Sequence, residues 1–315
     1  MSWRNVLLQN KARLNLENAQ LLITRADDSA SLPLEDIGVL ILDHPQIMIT
    51  AALLAELQQA GVVVMVCDKK HHPAGLLHPF HQHSRMSDVA EIQRIWSQPF
   101  RKRCWQALVR QKITNQAHCL DRSGLGPSHK VVKNLGNLVR KVDSGDSQNC
   151  EAQAARLYWQ ALMGSDFFRV TDGGTSPRKN AALNFGYAII RATIARSIVA
   201  HGLLPCFGLF HHSKLNAFNL ADDLIEPFRP LADGLVRRMS ELWDDNMANR
   251  AGQNSAFDGL CREDRQQLAG LGGEQVLIDS EVQSLGNATD ILVQSLVRAS
   301  RDKDASCLKL PGFAL

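Results

Sequence analysis

Histidines 211 and 212 lie in a loop just ahead of a predicted helix that carries Asp222, Asp223 and Glu226. Asp223 and Glu226 are three residues apart, so on a helix they share a face, and Leu220 and Leu224 turn that face inward. Inward carboxylates are costly unless a cation satisfies them. A loop imidazole and helical carboxylates can close on one divalent ion, a nitrogen and oxygen set that suits Mn²⁺ and tolerates Mg²⁺. The structural alternative is a helix cap at Asp222 and an ion pair from Glu226 to Arg229 or a nearby lysine. A further acid, Glu151, opens another predicted helix in which Ala152, Ala155 and Tyr158 form a close-packing stripe. It reads either as an acid that a neighbouring helix can approach closely or as a first-turn residue favoured by the helix dipole.

Other chemistries find no support. There is no phosphate-binding G-x-x-x-x-G-K-[ST] loop and no dinucleotide G-x-G-x-x-G, and Asp172-Gly173-Gly174-Thr175 reads as a turn. A second histidine cluster (71, 72, 78, 81 and 83) lacks metal-ligand spacing and reads as an exposed hinge. The seven cysteines are widely spaced with no C-x-x-C pair, which suits a reducing, cytoplasmic setting. No secretory signal is evident at the N-terminus, and no apolar run approaches the ~18 residues of a membrane span.

The formal net charge of +3 hides a strong asymmetry. Residues 85–141 carry 12 basic and 3 acidic side chains, whereas 1–84 carry 6 and 8, and 142–315 carry 17 and 21. Within the basic segment, Arg101, Lys102, Arg103, Arg110, Lys112, Arg122, Lys130, Lys133, Arg140 and Lys141 fall on predicted helices, with Leu108, Val109 and Ile113 turned inward. Such a run reads as a solvated face or as a grip on polyanion. Its excess charge favours nucleic acid held through its phosphates.

The elements that must position these residues divide into two textures. Residues 1–65 read as short strands (13–17, 21–24, 38–42 and 62–67) interrupted by one helix over 50–60, capped by Thr50 and stopped by Gly61. After a His- and Pro-rich hinge or ribbon over 69–85, helices follow over 89–97, 101–120, 130–142, 151–163, 180–201 and 222–243, with one or two more within 276–297. Prolines 99, 127, 177, 205, 227 and 230 punctuate them. The expected fold is α+β: a β-sandwich-like N-terminal domain (1–84, hinge included) followed by a larger all-α catalytic domain (85–315).

Four segments, in order, carry a family resemblance. They are Glu151 in an E-x-x-A-A-x-x-Y-W helix, Asn184-Phe185-Gly186-Tyr187-Ala188-Ile189-Ile190-Arg191, Gly208-Leu209-Phe210-His211, and Asp223-Leu224-Ile225-Glu226-Pro227-Phe228-Arg229-Pro230. With the opening Met1-Ser2-Trp3-Arg4, the chain resembles the CRISPR-associated adaptation integrase family, most closely its type II branch, subtype C. The resemblance implies a metal-dependent DNA endonuclease and integrase that inserts captured fragments (spacers) into a CRISPR array. The implied metal and catalytic residues are Glu151, His211 and Glu226, chosen over His212 by the Gly-x-Phe-His register, with Asp223 in support and Mg²⁺ or Mn²⁺ as the ion. It further implies a homodimer, a heterohexamer of two such dimers on a dimer of the small second adaptation protein, and cooperation with the RNA-guided effector nuclease. On this view the segment from Arg101 to Lys141 holds the duplex, and Tyr158, Trp159 or Tyr187 stacks on splayed bases. Two rival functions are a nuclease or resolvase of branched DNA without integration, and a non-catalytic DNA-binding scaffold.

Overall fold

The computed structural model describes residues 4–79, 83–126, 129–170, 178–248 and 259–314, with side chains up to 243 in the helix that ends at 248. The expected turn at 172–175, His81, Pro127, Pro177 and the opening residues 1–3 lie outside this set.

The strand-rich part runs β1 (Arg4–Leu8), β2 (Arg13–Glu17), β3 (Gln20–Thr24), β4 (Ser29–Pro33), β5 (Ile37–Leu42), β6 (Met48–Ile49), α1 (Ala51–Gln59), β7 (Val63–Cys67) and β8 (Pro73–Leu77). These strands make two four-stranded sheets, β1-β5-β7-β8 and β4-β3-β2-β6. Thr50 caps α1 by accepting the Leu53 N–H at 3.3 Å, and Gly61 beyond its end adopts φ +74°, as the sequence predicted. The hinge is partly a ribbon, since β8 pairs antiparallel with β7.

Strands β5 and β7 are parallel and buried on both faces, which explains their unbroken β-branched and leucine run. Leu40 and Val64 face Leu14, Leu21 and Ile23 of the second sheet and Leu53 and Leu57 of α1. Their neighbours Val39, Ile41, Val63 and Met65 point the other way, into the core of the helical part. Alternation with period two thus lets two strands serve both cores.

The helical part contains α2 (Met86–Arg94), α3 (Gln98–Leu120), α4 (Lys130–Lys141), α5 (Cys150–Met163), α6 (Arg178–Ala200), α7 (Asn219–Leu224), α8 (Arg229–Ala248), α9 (Arg262–Ala269) and α10 (Leu285–Asp302). The long helix α3, capped by Ser97 and started by Pro99, packs against α4, α5, α8 and the turn between α7 and α8. The α+β class holds, and no helix among the described residues is long and apolar enough to cross a membrane.

Two expected helices are divided differently. The helix expected over 222–243 breaks into α7, a single 3₁₀ turn over Glu226–Phe228, and α8. Pro227 and Pro230 have no N–H to donate, so the chain turns a corner there and sets Glu226 on it. Within 276–297 the first residues form a hairpin of β9 (Gln275–Ile278) and β10 (Glu281–Ser284), closed by Asp279 and Ser280 at φ +53° and +66°. Helix α10 begins only at Leu285, capped by Ser284. With β11 (Gly312–Phe313), this hairpin adds a three-stranded sheet to the part expected to be all-α. The C-terminal tail returns to α3, where the Asn115 amide donates to Pro311 O at 2.9 Å and to Pro227 O at 2.7 Å.

Candidate active site

Glu151 stands in the first turn of α5, behind a sharp loop in which Gly145, Asp146 and Asn149 all have positive φ. The Asp146 carboxylate caps the helix, accepting the N–H of Cys150 at 2.8 Å and of Glu151 at 3.0 Å. Two of the helix's orphan donors are thereby satisfied, and the Glu151 side chain is left free to reach α3.

There it meets Lys112. The Lys112 ammonium lies 2.6 Å from Glu151 Oε1 and 2.5 Å from Glu226 Oε2, and the lysine side chain is only 11% exposed. Lys112 therefore does not grip DNA at the surface, as its place in the basic run suggested. It shares the inward face of α3 with Leu108, Asn115 and Cys119, and only a counter-charge makes burial of an ammonium tolerable there. The helical spacing of Lys112 from Leu108 was the available signal.

Glu226, 6% exposed, also accepts from Arg229 Nε at 3.0 Å. Burial would raise its carboxyl, but Arg229 and Lys112 hold it down at about 2. Burial likewise disfavours the Lys112 ammonium, and Glu226 and Glu151 outweigh that and push its pKa up. Glu226 Oε2 has the ammonium 2.5 Å away, so both of its oxygens face a cation. The ion pairs that the sequence offered as the structural alternative are thus formed. Asp222, by contrast, does not cap α7 but pairs with Arg191 at 2.7 Å.

His211 is held from behind by Asp223, which is fully buried. Asp223 Oδ1 lies 2.7 Å from His211 Nδ1 and accepts the His211 N–H at 3.1 Å, while Oδ2 accepts from Leu209 N at 2.5 Å and Phe210 N at 3.0 Å. An acceptor at that distance assigns the proton to Nδ1 and leaves the Nε2 lone pair for a ligand. The same hydrogen bond raises the His211 pKa, against the opposing effect of burial. Gly208 makes the turn possible, because a Cβ there would stand 2.3 Å from His211 O and 2.6 Å from Asp223 Oδ2. The loop is fixed further by Arg101 Nε, which donates to Leu209 O at 3.0 Å, and by Phe210 stacked on Trp105 with centroids 4.3 Å apart. His212 is exposed and bonds only locally, to Phe210 O.

Among the described residues, no three His, Cys, Asp or Glu side chains stand close enough to hold a metal ion as they are arranged. The donor set nevertheless fits a divalent cation. Two carboxylates, one of them buried, converge on one cationic position, and an oriented imidazole stands near Glu226.

Three aromatic side chains proposed for base stacking are otherwise engaged. Tyr158 and Tyr187 are buried and both donate to Asp233, at 2.9 Å from Tyr158. Burial pushes the Asp233 carboxyl up to about 7, with the two tyrosines opposing. Trp159 is half-buried against Tyr158 and Phe167. Of the basic residues, Lys102, Arg103, Arg110, Lys130, Lys133, Arg140 and Lys141 are exposed. In the hinge, His71 bonds the buried Asp43 at 2.8 Å, and Asp43 in turn pairs with Arg265 at 2.6 Å.

The same β module joined to a helical body occurs in solved structures. A casposase bound to its integration product superposes with a TM-score of 0.75, over 96% of this chain and 93% of that one, at 17% identity. A CAS1 protein from Thermotoga maritima gives 0.73, over 95% and 97%, at 16% identity. The family model described as CRISPR associated protein Cas1 matches residues 6–246. The chain is 40% identical, over 99% of its length and 96% of the relative's, to the CRISPR-associated endonuclease Cas1 of Neisseria meningitidis serogroup C. It is 26% identical to a second protein of that name from Pyrobaculum aerophilum, over 73% of this chain and 80% of that one. The chain belongs to the Cas1 family.

Proposed function

We propose that this protein is a metal-dependent DNA endonuclease and integrase that inserts captured fragments into a CRISPR array. The observation that carries this reading is the convergence of Glu151 and Glu226 on one cationic position beside a histidine whose Nε2 is left free. In the reaction, a fragment's 3′-hydroxyl oxygen forms a bond to phosphorus at the repeat boundary while the repeat strand's own 3′ oxygen leaves. One phosphodiester replaces another, so no ATP is needed. Glu151, Glu226 and His211 Nε2 would hold Mg²⁺ or Mn²⁺, and the ion supplies charge that eases hydroxyl deprotonation and offsets the developing phosphorane charge. Asp223 keeps the imidazole in one tautomer, and Arg229 and Asn115 keep the Glu226 corner in place.

Double-stranded DNA is the substrate on this reading. The partners are a second copy of the chain, the small second adaptation protein in a heterohexamer of two integrase dimers on one dimer of it, and the RNA-guided effector nuclease. A structural relative described as a Cas6-RT-Cas1–Cas2 complex supports the pairing, with a TM-score of 0.71 over 98% of this chain and 36% of that one. The run from Asp223 to Pro230 supports the type II branch, subtype C. Seven unpaired thiols suit the cytoplasm.

A DNA-binding scaffold is the second reading, and the Lys112 bridge favours it, since the glutamates have partners without a metal. A strand-transfer assay separates the readings, with Mg²⁺ or Mn²⁺, a short duplex with free 3′-hydroxyls and a leader–repeat target. The proposal expects joined product; cleavage without joining indicates a branched-DNA nuclease, and neither product indicates the scaffold. Lys130 and Lys133, exposed on α4, should contact phosphates. Replacing both with alanine is expected to lower the salt slope of duplex binding by about two, and an unchanged slope would assign them to a solvated face.

A further inference from the structure

Lys112 and Arg229 already balance the charges of Glu151 and Glu226. Arg229 Nε holds Oε1 of Glu226, and the Lys112 ammonium holds Oε2 and, across the gap, Oε1 of Glu151. The three elements that meet there are α3, α5 and the α7–α8 corner, and Lys112 ties all three through one buried atom. A divalent ion drawn to the same two carboxylates would meet that ammonium at close quarters. Like charges in a poorly hydrated site repel strongly, so ion and ammonium cannot share the position without loss.

We propose that Lys112 is a resident cation that holds Glu151 and Glu226 in register before metal binds and is displaced when the divalent ion enters. This inference rests on the metal reading above and concerns the lysine alone. In the absence of DNA the two glutamates are already balanced by the two bases, and a divalent ion gains little from them by entering. A phosphodiester brings the negative charge that offsets the extra cation. Ion capture is therefore coupled to DNA, and by linkage DNA binding is strengthened by the ion to the same degree. The coupling keeps the site weakly loaded until a substrate phosphate arrives.

The test measures Mn²⁺ binding by electron paramagnetic resonance, and thermal melting with and without Mn²⁺, in the full-length protein. Lys112→Met is expected to bind Mn²⁺ at least about tenfold more tightly than wild type without DNA, because a like charge has been removed from the site. It should melt lower than wild type without metal and gain more from Mn²⁺, a readout that also serves if the variant folds only with the ion. Lys112→Arg, which keeps the charge, should stay within about threefold of wild type on the same grounds. Adding a short duplex should tighten Mn²⁺ binding in wild type and much less in Lys112→Met. Equal or weaker Mn²⁺ binding by Lys112→Met, with binding still reduced in Glu226→Gln, would overturn the inference and leave the metal site standing. Mn²⁺ binding unaffected by Glu151→Gln and Glu226→Gln would overturn the metal reading and this inference with it.

Discussion

Glu226→Gln is expected to lower strand joining and cleavage on the order of a thousandfold or more, since the loss of a ligand carboxylate removes several kcal/mol of transition-state charge stabilisation. Glutamine keeps the volume and can still accept from Arg229 Nε, so the corner at Glu226–Phe228 retains its shape. What it loses is the charge on which Lys112 and Arg229 both depend. The buried Lys112 and the half-buried Arg229 are then left with less compensation, which costs stability on the order of a few kcal/mol. Rates therefore need to be compared well below the lower of the two melting transitions. Joining within tenfold of wild type under those conditions would remove Glu226 from the chemistry and favour the scaffold reading.

The second large effect lies behind the histidine. Asp223→Asn sets an amide where a buried carboxylate takes three backbone N–H groups and the imidazole Nδ1. Whichever way the amide turns, its NH₂ faces donors, a clash of partners that costs roughly 1–3 kcal/mol. Freed from its anchor, the imidazole can take either tautomer, and supporting groups of this kind are typically worth about 10–100-fold in metal affinity or activity. Gly208→Ala attacks the same anchor sterically, with its methyl aimed at His211 O and Asp223 Oδ2. Both variants should lower activity by a comparable factor while leaving the salt dependence of duplex binding unchanged. Asp223→Asn should also lower the His211 pKa, because the Asp223 hydrogen bond is the main cause of its elevation. A His211 titration by NMR that does not move downwards would show that Asp223 does not set the protonation of this ring.

Local rules made the acids and the histidine candidates, and the family resemblance chose among them. Glu151 heads a helix, His211 follows a Gly-x-Phe run, and Glu226 precedes a proline; each of these is written within a few residues of chain. Helix boundaries away from proline and hairpin turns came out within a few residues for the same reason, as at α3, α4 and α5. The corner at Pro227 was read through as one helix, because Leu220, Leu224, Leu231 and Leu235 keep a helical apolar rhythm across it. The strand at Gln275–Ile278 was taken for helix because it is short and pairs with β11, far along the chain.

Lys112 marks the boundary between the two kinds of knowledge. The sequence by itself determined the α+β order, the basic run, the acids and the histidine, because charge, periodicity and capping act between near neighbours. It also determined that an inward carboxylate at Glu226 needs a cation. Which cation stands there was decided only by tertiary structure. Lys112 and Glu151 are brought to Glu226 by the packing of α3 against α5 and the α7–α8 corner, and contacts between residues so far apart in the chain follow from how whole apolar faces fill one core. For the same reason Tyr158 and Tyr187, which the family resemblance offered for base stacking, are buried on Asp233, and a lysine that looks like part of a DNA grip lies inside the site.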